Sequence, residues 1–197
     1  MGRSLRWPRL GVCALILVAV VYQYADNVGR PEFSGLYFFS FFTILANLVA
    51  AVALAAAALD RRRRHDGLRG AATLYLLLTA IVFAVLIAGD GGPSLLDSWV
   101  GWVLHRIVPA YMLLDWLLDP AVVPVRVALG WLVFPLGFLA YSLARGSIVD
   151  WYPYAFLDPR APDGSYGAVA ITALVMAALV AIAALALARV GGLRRRA

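Results

Sequence analysis

Apolar residues fill most of this chain, and clusters of polar residues separate them into six long stretches. The stretches cover approximately residues 10–24, 36–59, 70–88, 98–118, 126–143 and 167–188. A helix of roughly 20 apolar residues crosses the hydrocarbon core of a bilayer, which is about 30 Å thick. The pattern therefore predicts an all-α, polytopic membrane protein, with residues 1–197 forming one bundle of six transmembrane helices.

Composition supports this prediction, because 63% of the residues are hydrophobic and only 14% are charged. The mean hydropathy of +0.85 lies outside the range of soluble domains. All basic residues are arginine, a usage typical of GC-rich bacteria, so we expect a bacterial plasma membrane. The single cysteine, Cys13, excludes an internal disulfide and a cysteine-based metal cluster. We expect neither a cofactor nor a metal, and the sequence indicates no oligomeric state.

The arginines predict the orientation of the bundle. Thirteen of the seventeen lie at the N-terminus, in the second and fourth connections and in the tail, namely Arg3, Arg6, Arg9, Arg61, Arg62, Arg63, Arg64, Arg69, Arg126, Arg189, Arg194, Arg195 and Arg196. Short cytoplasmic loops retain positive charge, so both termini are predicted to be cytoplasmic. Basic runs beside spans are typical of topology and anionic-lipid anchors, so membrane lipids are expected partners and nucleic acid is not.

Three polar residues interrupt the second apolar stretch. In "YFFSFFTILANLVAAV", residues 37–52, Ser40, Thr43 and Asn47 are spaced i, i+3 and i+7. On one continuous helix they would share a sector of roughly 100°. Such a stripe either joins neighbouring helices or forms a site, because buried Thr often bonds its own helix and Ser or Asn often bonds a neighbouring helix. Both interpretations stay open at this point.

His105 is the one histidine inside a predicted span, and ionisable groups within membranes are costly and usually functional. At about 1.5 Å per residue, Thr43 and His105 both lie about 10 Å below the outer boundary. An imidazole beside a hydroxyl can take its proton and make it a nucleophile. The spacing thus permits a Thr–His pair, beside which Asn47 would donate to an oxyanion or hold a helix contact.

Two neighbours of His105 add to this hypothesis. Pro109 has no N–H to donate, which predicts a free carbonyl at His105 and a kink in the helix. Arg106 lies about 12 Å deep by the same rise per residue. It either snorkels to the outer interface or holds the carboxylate of a fatty substrate.

The acidic residues divide between the two ends of the bundle. Asp115 lies about 15 Å beyond His105 along the fourth span, near the predicted cytoplasmic surface. There we expect it to face Arg126 rather than to orient His105. Asp90, Asp97 and Asp158 are better placed to orient the imidazole, and the sequence leaves the choice among them open.

The longest predicted outer connection contains "DWYPYAFLDPRAPDG", residues 150–164. Its prolines are Pro153, Pro159 and Pro162, and they restrain the backbone. Its aromatic residues are of the kind that settles at membrane interfaces. We expect a stiff aromatic cap that closes over the outer end of the bundle.

The motifs "FFTILANLVAAV", "VLHRIVPAYMLLDWLLDP" and "WYPYAFLD" resemble those of a known group. The chain is similar over most of its length to bacterial six-span relatives of the androgen-induced and androgen-dependent-TFPI-regulating family. Animal members of this family are membrane threonine hydrolases that cleave fatty acid esters of hydroxy fatty acids (FAHFA). The resemblance implies Thr43 as the nucleophile and His105 as the catalytic histidine. Ala46 departs from the animal pattern, which has serine before the residue that matches Asn47.

Other membrane functions fit the sequence less well. Gly101 to His105 spells the G-x-x-x-H of rhomboid proteases, but their partner motif G-x-S-G does not occur. A carrier or channel for a small or lipidic molecule remains the alternative, because a polar stripe beside a broken helix also describes a permeation site. We expect an intramembrane hydrolase of lipid esters acting near the outer leaflet, with Thr43 and His105 as catalytic residues. Asn47, Arg106 and Ser40 are the expected substrate-binding or oxyanion residues.

Overall fold

A computed structural model describes residues 5–60, 64–87, 98–161 and 164–194, and within these ranges the regular structure is entirely helical. In chain order the α-helices are α1 (Arg6–Val28), α2 (Gly35–Phe38), α3 (Phe42–Leu59), α4 (Asp66–Val82), α5 (Trp99–Trp102), α6 (Val108–Leu118), α7 (Val125–Gly130), α8 (Val133–Val149) and α9 (Tyr166–Arg194). A π-helical turn, Phe83–Ile87, follows α4, and another, Val103–Ile107, joins α5 to α6. A short 3₁₀ turn, Ala155–Leu157, lies between α8 and α9.

Within the described residues, five helical segments are long and apolar enough to cross a membrane. They are Arg6–Val28, Phe42–Leu59, Asp66–Val85, Val125–Val149 and Tyr166–Leu193. The prediction of an all-helical membrane protein is therefore confirmed at this level. The predicted fourth span, 98–118, is helical from residue 99 but carries Arg106 and Asp115 and is not among the five. The count of six spans and the cytoplasmic termini stay predictions.

The prediction of one continuous helix over 36–59 is wrong, because the helix is interrupted at residues 39–41. The Ser40 amide donates to the Tyr37 carbonyl, while its hydroxyl lies 2.7 Å from the Leu36 carbonyl, a side-chain bond that competes with regular helix bonding. Phe41 is then extended, with φ −86° and ψ 128°. A new helix begins at Phe42, so Ser40 does not share a helical face with the residues of α3.

Small residues let the central helices approach closely. Helix α3 packs against α1 on one side and α4 on the other, while α4 also contacts α6 and α9. Ala46, Ala50 and Ala53 on α3 are completely buried at these contacts. Alanine at a helix interface lets the backbones approach closely. Such packing gains dispersion energy, which matters because lipid surroundings supply no hydrophobic driving force for helix association. The start of α3 is thereby held firmly between its neighbours.

A buried ion cluster ties α1, α4 and α6 together. Both side-chain oxygens of Asp115 are paired, one with Arg9 Nε at 2.7 Å and the other with Arg69 Nη1 at 2.7 Å. Arg9 also reaches Asp119 at 2.8 Å. The expectation that Asp115 faces Arg126 is therefore wrong. Sequence proximity favoured Arg126, but packing brings two arginines from distant helices to the carboxylate.

The predicted aromatic cap lies on the start of α3. Trp151 stacks on Tyr37 with ring centroids 4.4 Å apart and planes 5° apart. Tyr154 meets Phe41 edge to face, with centroids at 5.9 Å. The Arg145 guanidinium lies 4.6 Å from the centre of the Tyr37 ring and holds this stack from the side of α8. The connection between α8 and α9 therefore folds back over the helix break rather than extending away from the bundle.

Candidate functional site

Thr43 and His105 meet at the centre of the candidate site. Thr43 is the second residue of α3, and His105 is the middle residue of the π-helical turn Val103–Ile107. Their Oγ1 and Nε2 atoms are 3.3 Å apart, and both side chains are half-buried. Counting depth along two helices permits this encounter, and the structure brings the two groups together.

A backbone carbonyl sets the tautomer of the imidazole. His105 Nδ1 lies 3.1 Å from the Gly101 carbonyl oxygen, one helical turn earlier. A carbonyl can only accept a hydrogen bond, so Nδ1 carries the proton and the neutral ring leaves Nε2 as an acceptor. That acceptor points at the Thr43 hydroxyl. The arrangement is the one a general base needs, since the proton on Thr43 has a receiving nitrogen.

No carboxylate takes the orienting role among the described residues. Asp158 pairs instead with Arg160, whose Nε lies 3.3 Å from Asp158 Oδ1. Asp90 and Asp97 lie outside the described residues. Among the described residues, the Gly101 carbonyl is the acceptor that faces His105 Nδ1, and the orienting roles of Asp90 and Asp97 stay predictions.

Pro109 explains the π-helical turn that carries His105. The Val108 amide donates to the Val103 carbonyl, five residues back, and Pro109 has no amide hydrogen. The Leu104 carbonyl consequently loses both possible backbone donors. Asn47 Nδ2 donates to it at 3.2 Å and also to the Thr43 carbonyl at 2.8 Å. The sequence predicted a free carbonyl at His105, whereas the carbonyl that takes a new donor is that of Leu104.

Asn47 thus holds the helix of Thr43 against the helix of His105. Its side chain is fully buried, and its Oδ1 has no hydrogen-bond partner within the described part of the chain. These contacts fix the distance between the helix of Thr43 and the π-helical turn of His105. Neither bond points towards an oxyanion at Thr43, so the helix-contact interpretation is the one the geometry favours.

Arg106 and Phe83 border the other side of the imidazole. Phe83 stacks on His105 with ring centroids 4.2 Å apart. The Arg106 guanidinium lies 4.1 Å from the centre of the Trp102 ring and 5.4 Å from that of Phe83. Its Nη1 is buried and has no hydrogen-bond acceptor among the described residues. An anionic group entering here would find an unused donor.

Ser40 is not brought to this pair. Its hydroxyl bonds the Leu36 carbonyl and lies 2.9 Å from the Tyr141 hydroxyl on α8. These bonds hold the break before α3 against α8. Ser40 therefore positions the start of the helix, and its predicted role in binding substrate has no contact to support it.

Two cavities adjoin the pair from different sides. The first, of about 90 Å³, is bordered by Thr43 and Tyr154 and continues between apolar residues of α8 and α9 such as Leu139 and Met176. The second, of about 410 Å³, is bordered by His105 and Arg106 together with apolar residues of α4. The hydroxyl thus faces an almost wholly apolar space, while the imidazole also faces a more open one.

Tyr154 is the residue of this site that sequence reasoning missed. Its hydroxyl lies beside the Thr43 side chain and the backbone amides of Phe42 and Thr43. The sequence predicted an aromatic cap but assigned no single ring of it to a site. Only the return of the loop over the helix break brings this phenol to Thr43.

The arrangement has the parts of a covalent acyl-transfer site: a hydroxyl, a neutral base of fixed tautomer and an apolar cavity. Comparison of the chain with protein-family models, curated proteins and solved structures gives no match. The chemistry must therefore be argued from the geometry, and the family resemblance of the motifs stays a prediction.

Proposed function

We propose that this protein is an intramembrane hydrolase of lipid esters, with Thr43 as the nucleophile and His105 as the general base. The observation that carries the proposal is the 3.3 Å contact between Thr43 Oγ1 and a His105 Nε2 that has no proton of its own to donate. The resemblance to transmembrane threonine hydrolases supports the same pair of residues. It also suggests esters of the FAHFA type as substrates.

The proposed reaction has two halves. Thr43 Oγ1 attacks the ester carbonyl while its proton passes to His105 Nε2. The bond from the carbonyl carbon to the alcohol oxygen then breaks, and His105 returns the proton to that leaving oxygen. In the second half, water gives a proton to His105, attacks the acyl-threonine and releases the fatty acid, and Thr43 regains its proton.

The apolar cavity beside Thr43 is the proposed place of the acyl chain. Its walls are mostly hydrocarbon, and it extends between α8 and α9, which belong to two segments long and apolar enough to cross a membrane. A chain entering from the bilayer would leave one apolar environment for another, so its ester must provide the binding specificity. The more open cavity at His105 is the proposed route for the hydrolytic water.

We further propose six spans with both termini in the cytoplasm of a bacterial cell. The helical run 99–118 would make the fourth crossing, with His105 in the outer half and Trp116 near the inner end. Trp116 Nε1 donates to the Leu187 carbonyl at 3.1 Å, which joins this inner end to the last turns of α9. The Arg9 and Arg69 pairs lie at the same end, in agreement with the arginine asymmetry.

Arg106 would select substrates that carry a carboxylate. We expect Arg106→Gln to lower the preference for acidic over neutral lipid esters by about 10-fold, because a charge-assisted hydrogen bond contributes roughly 1.5–3 kcal/mol. The measurement is the ratio of kcat/KM for a matched acidic and neutral ester. Arg145→Gln is the control, since Arg145 also lies over aromatic rings but borders neither cavity. An unchanged ratio in Arg106→Gln would remove Arg106 from the site.

A carrier or channel is the second candidate, because one cavity borders Thr43 and another borders His105. In that case the Thr43 and His105 contact would act as a polar constriction. Transport would then continue when the nucleophile is removed, whereas hydrolysis would not.

Labelling with a fluorophosphonate probe in isolated membranes tests the proposed function. The activated hydroxyl attacks phosphorus and displaces fluoride, and peptide mapping locates the adduct. We expect the adduct on Thr43, labelling that survives in Ser40→Ala, and none in Thr43→Ala. Absence of labelling in the unaltered protein, together with undetectable ester turnover, would overturn the hydrolase and favour the carrier.

A further inference from the structure

Tyr154 reaches the nucleophile from the connection between α8 and α9. Its ring stacks on Phe156 with centroids 5.1 Å apart, meets Phe41 at 5.9 Å and lies 6.4 Å from Phe138. These contacts hold the phenol over the start of α3. Tyr154 and Thr43 then border the same apolar cavity, where an acyl group would sit.

The first residues of α3 offer amides that the helix itself does not use. Phe41 is extended, and the first regular bond runs from the Leu45 amide to the Phe41 carbonyl at 3.3 Å. The Phe42 and Thr43 amides precede it and have no acceptor four residues back within the helix. The Tyr154 oxygen lies beside both. A phenol oxygen that accepts from amides at the positive end of a helix can still donate its own hydrogen to a further acceptor.

The phenol also keeps its proton at neutral pH. Burial raises the pKa of Tyr154, and the neighbouring Thr43 hydroxyl and the amides of Phe42 and Thr43 oppose this only in part. The side chain is therefore a hydrogen-bond donor at neutral pH.

We propose that Tyr154 is a third catalytic residue, whose O–H donates to the ester carbonyl oxygen as that oxygen becomes an oxyanion on Thr43. The proposal rests on the proposed hydrolase function. His105 borders one cavity and Tyr154 the other, so the base and the oxyanion donor approach Thr43 from different sides. The ester carbonyl oxygen is bound to the carbon that Thr43 Oγ1 attacks. A donor beside the Thr43 hydroxyl can therefore reach this oxygen.

The proton and electron balance of the step is simple. Attack by Thr43 moves the carbonyl π electrons onto oxygen, and the Tyr154 O–H strengthens its hydrogen bond without transferring the proton. When the tetrahedral intermediate collapses, the carbonyl reforms and the leaving alcohol takes its proton from His105. Donors placed at a developing oxyanion act mainly on kcat, because the charge is absent in the ground state.

Tyr154→Phe tests the proposal in the full-length protein, because it keeps the ring contacts and removes only the hydroxyl. We expect kcat for a fluorogenic fatty acyl ester to fall about 10²-fold or more, with KM nearly unchanged. The rate of fluorophosphonate labelling at Thr43 should fall in parallel, since a phosphoryl oxygen takes the place of the oxyanion. Tyr152→Phe, in the same loop, is the matched control and should keep both rates.

The outcomes separate this proposal from the proposed function. One outcome is that turnover and labelling depend on Thr43, but their rates in Tyr154→Phe stay within about 3-fold of those of the unaltered protein. This outcome would overturn the role of Tyr154 and leave the hydrolase intact. A lower kcat accompanied by a lower melting temperature and a raised KM would indicate a structural role and would also overturn it. Turnover that does not depend on Thr43, or none in the unaltered protein, would overturn both proposals.

Discussion

We expect Thr43→Ala and His105→Ala each to lower the kcat of fatty acyl ester hydrolysis by about 10³-fold or more. The reason is the contact between Oγ1 and Nε2, since a threonine hydroxyl is a weak nucleophile unless a base receives its proton. The two residues act as one unit, so the double variant should be no slower than either single variant. The measurement is hydrolysis of a fluorogenic ester in mixed micelles, at substrate concentrations that resolve kcat from KM.

Two further variants show whether the hydroxyl itself is responsible. Thr43→Ser keeps an oxygen in place and should retain turnover within about 10-fold of the unaltered protein. Thr79→Ala is the matched control, because Thr79 borders the same cavity but donates to the Tyr75 carbonyl at 3.0 Å. If the kcat of the double variant falls by the product of the two single decreases, Thr43 and His105 act independently. That result would contradict a nucleophile and base pair.

Asp115→Ala is expected to cause the largest loss of stability. The Asp115 side chain is completely buried between Arg9 and Arg69, whose side chains are only 4% and 1% exposed. Its removal would leave two buried guanidinium groups with only their outer partners, Asp119 for Arg9 and Asp66 for Arg69. Breaking a buried pair in this way costs about 3–5 kcal/mol, because the remaining charge is only partly compensated. The measurement is the apparent Tm in detergent, which should fall on the order of 10 °C.

Asp26→Ala is the control for this variant. Asp26 pairs with Arg30 one turn away, with the two side chains 46% and 55% exposed, and such a pair contributes only about 0.3–0.5 kcal/mol. Asp115 lies about 15 Å along the helix from His105, so turnover measured well below the Tm should change little. An apparent Tm equal to that of Asp26→Ala would show that the buried cluster does not hold α1 to α4 and α6.

Much of the pairing at the site could be predicted because it depends on helix geometry. At a fixed rise per residue, residues counted from the predicted outer ends of two parallel segments are expected at the same depth, whatever their side chains do. Thr43 and His105 are 62 positions apart in the chain, and this count still placed them level. The count could not establish which way either side chain points.

The break before α3 shows the limit of periodicity. Residues 36–59 read as one apolar helix, and Ser40, Thr43 and Asn47 read as one stripe. The Ser40 hydroxyl bonds the Leu36 carbonyl and contacts Tyr141 on α8, and these contacts end α2 early. That contact spans 101 positions, so no local pattern contains it. The break matters to the proposed site because it leaves the amides of Phe42 and Thr43 at a helix start.

The sequence by itself determined the all-helical, apolar architecture and the approximate positions of most helices, because these follow from local periodicity. It also predicted a common depth for a hydroxyl and an imidazole from a constant rise per residue. The tertiary structure decided the tautomer of His105, the donor for the Leu104 carbonyl, the partners of Asp115 and the arrival of Tyr154 at Thr43. These depend on side chains from distant parts of the chain meeting at about 3 Å, and such distances are set by packing. A pattern along one helix contains no information about them.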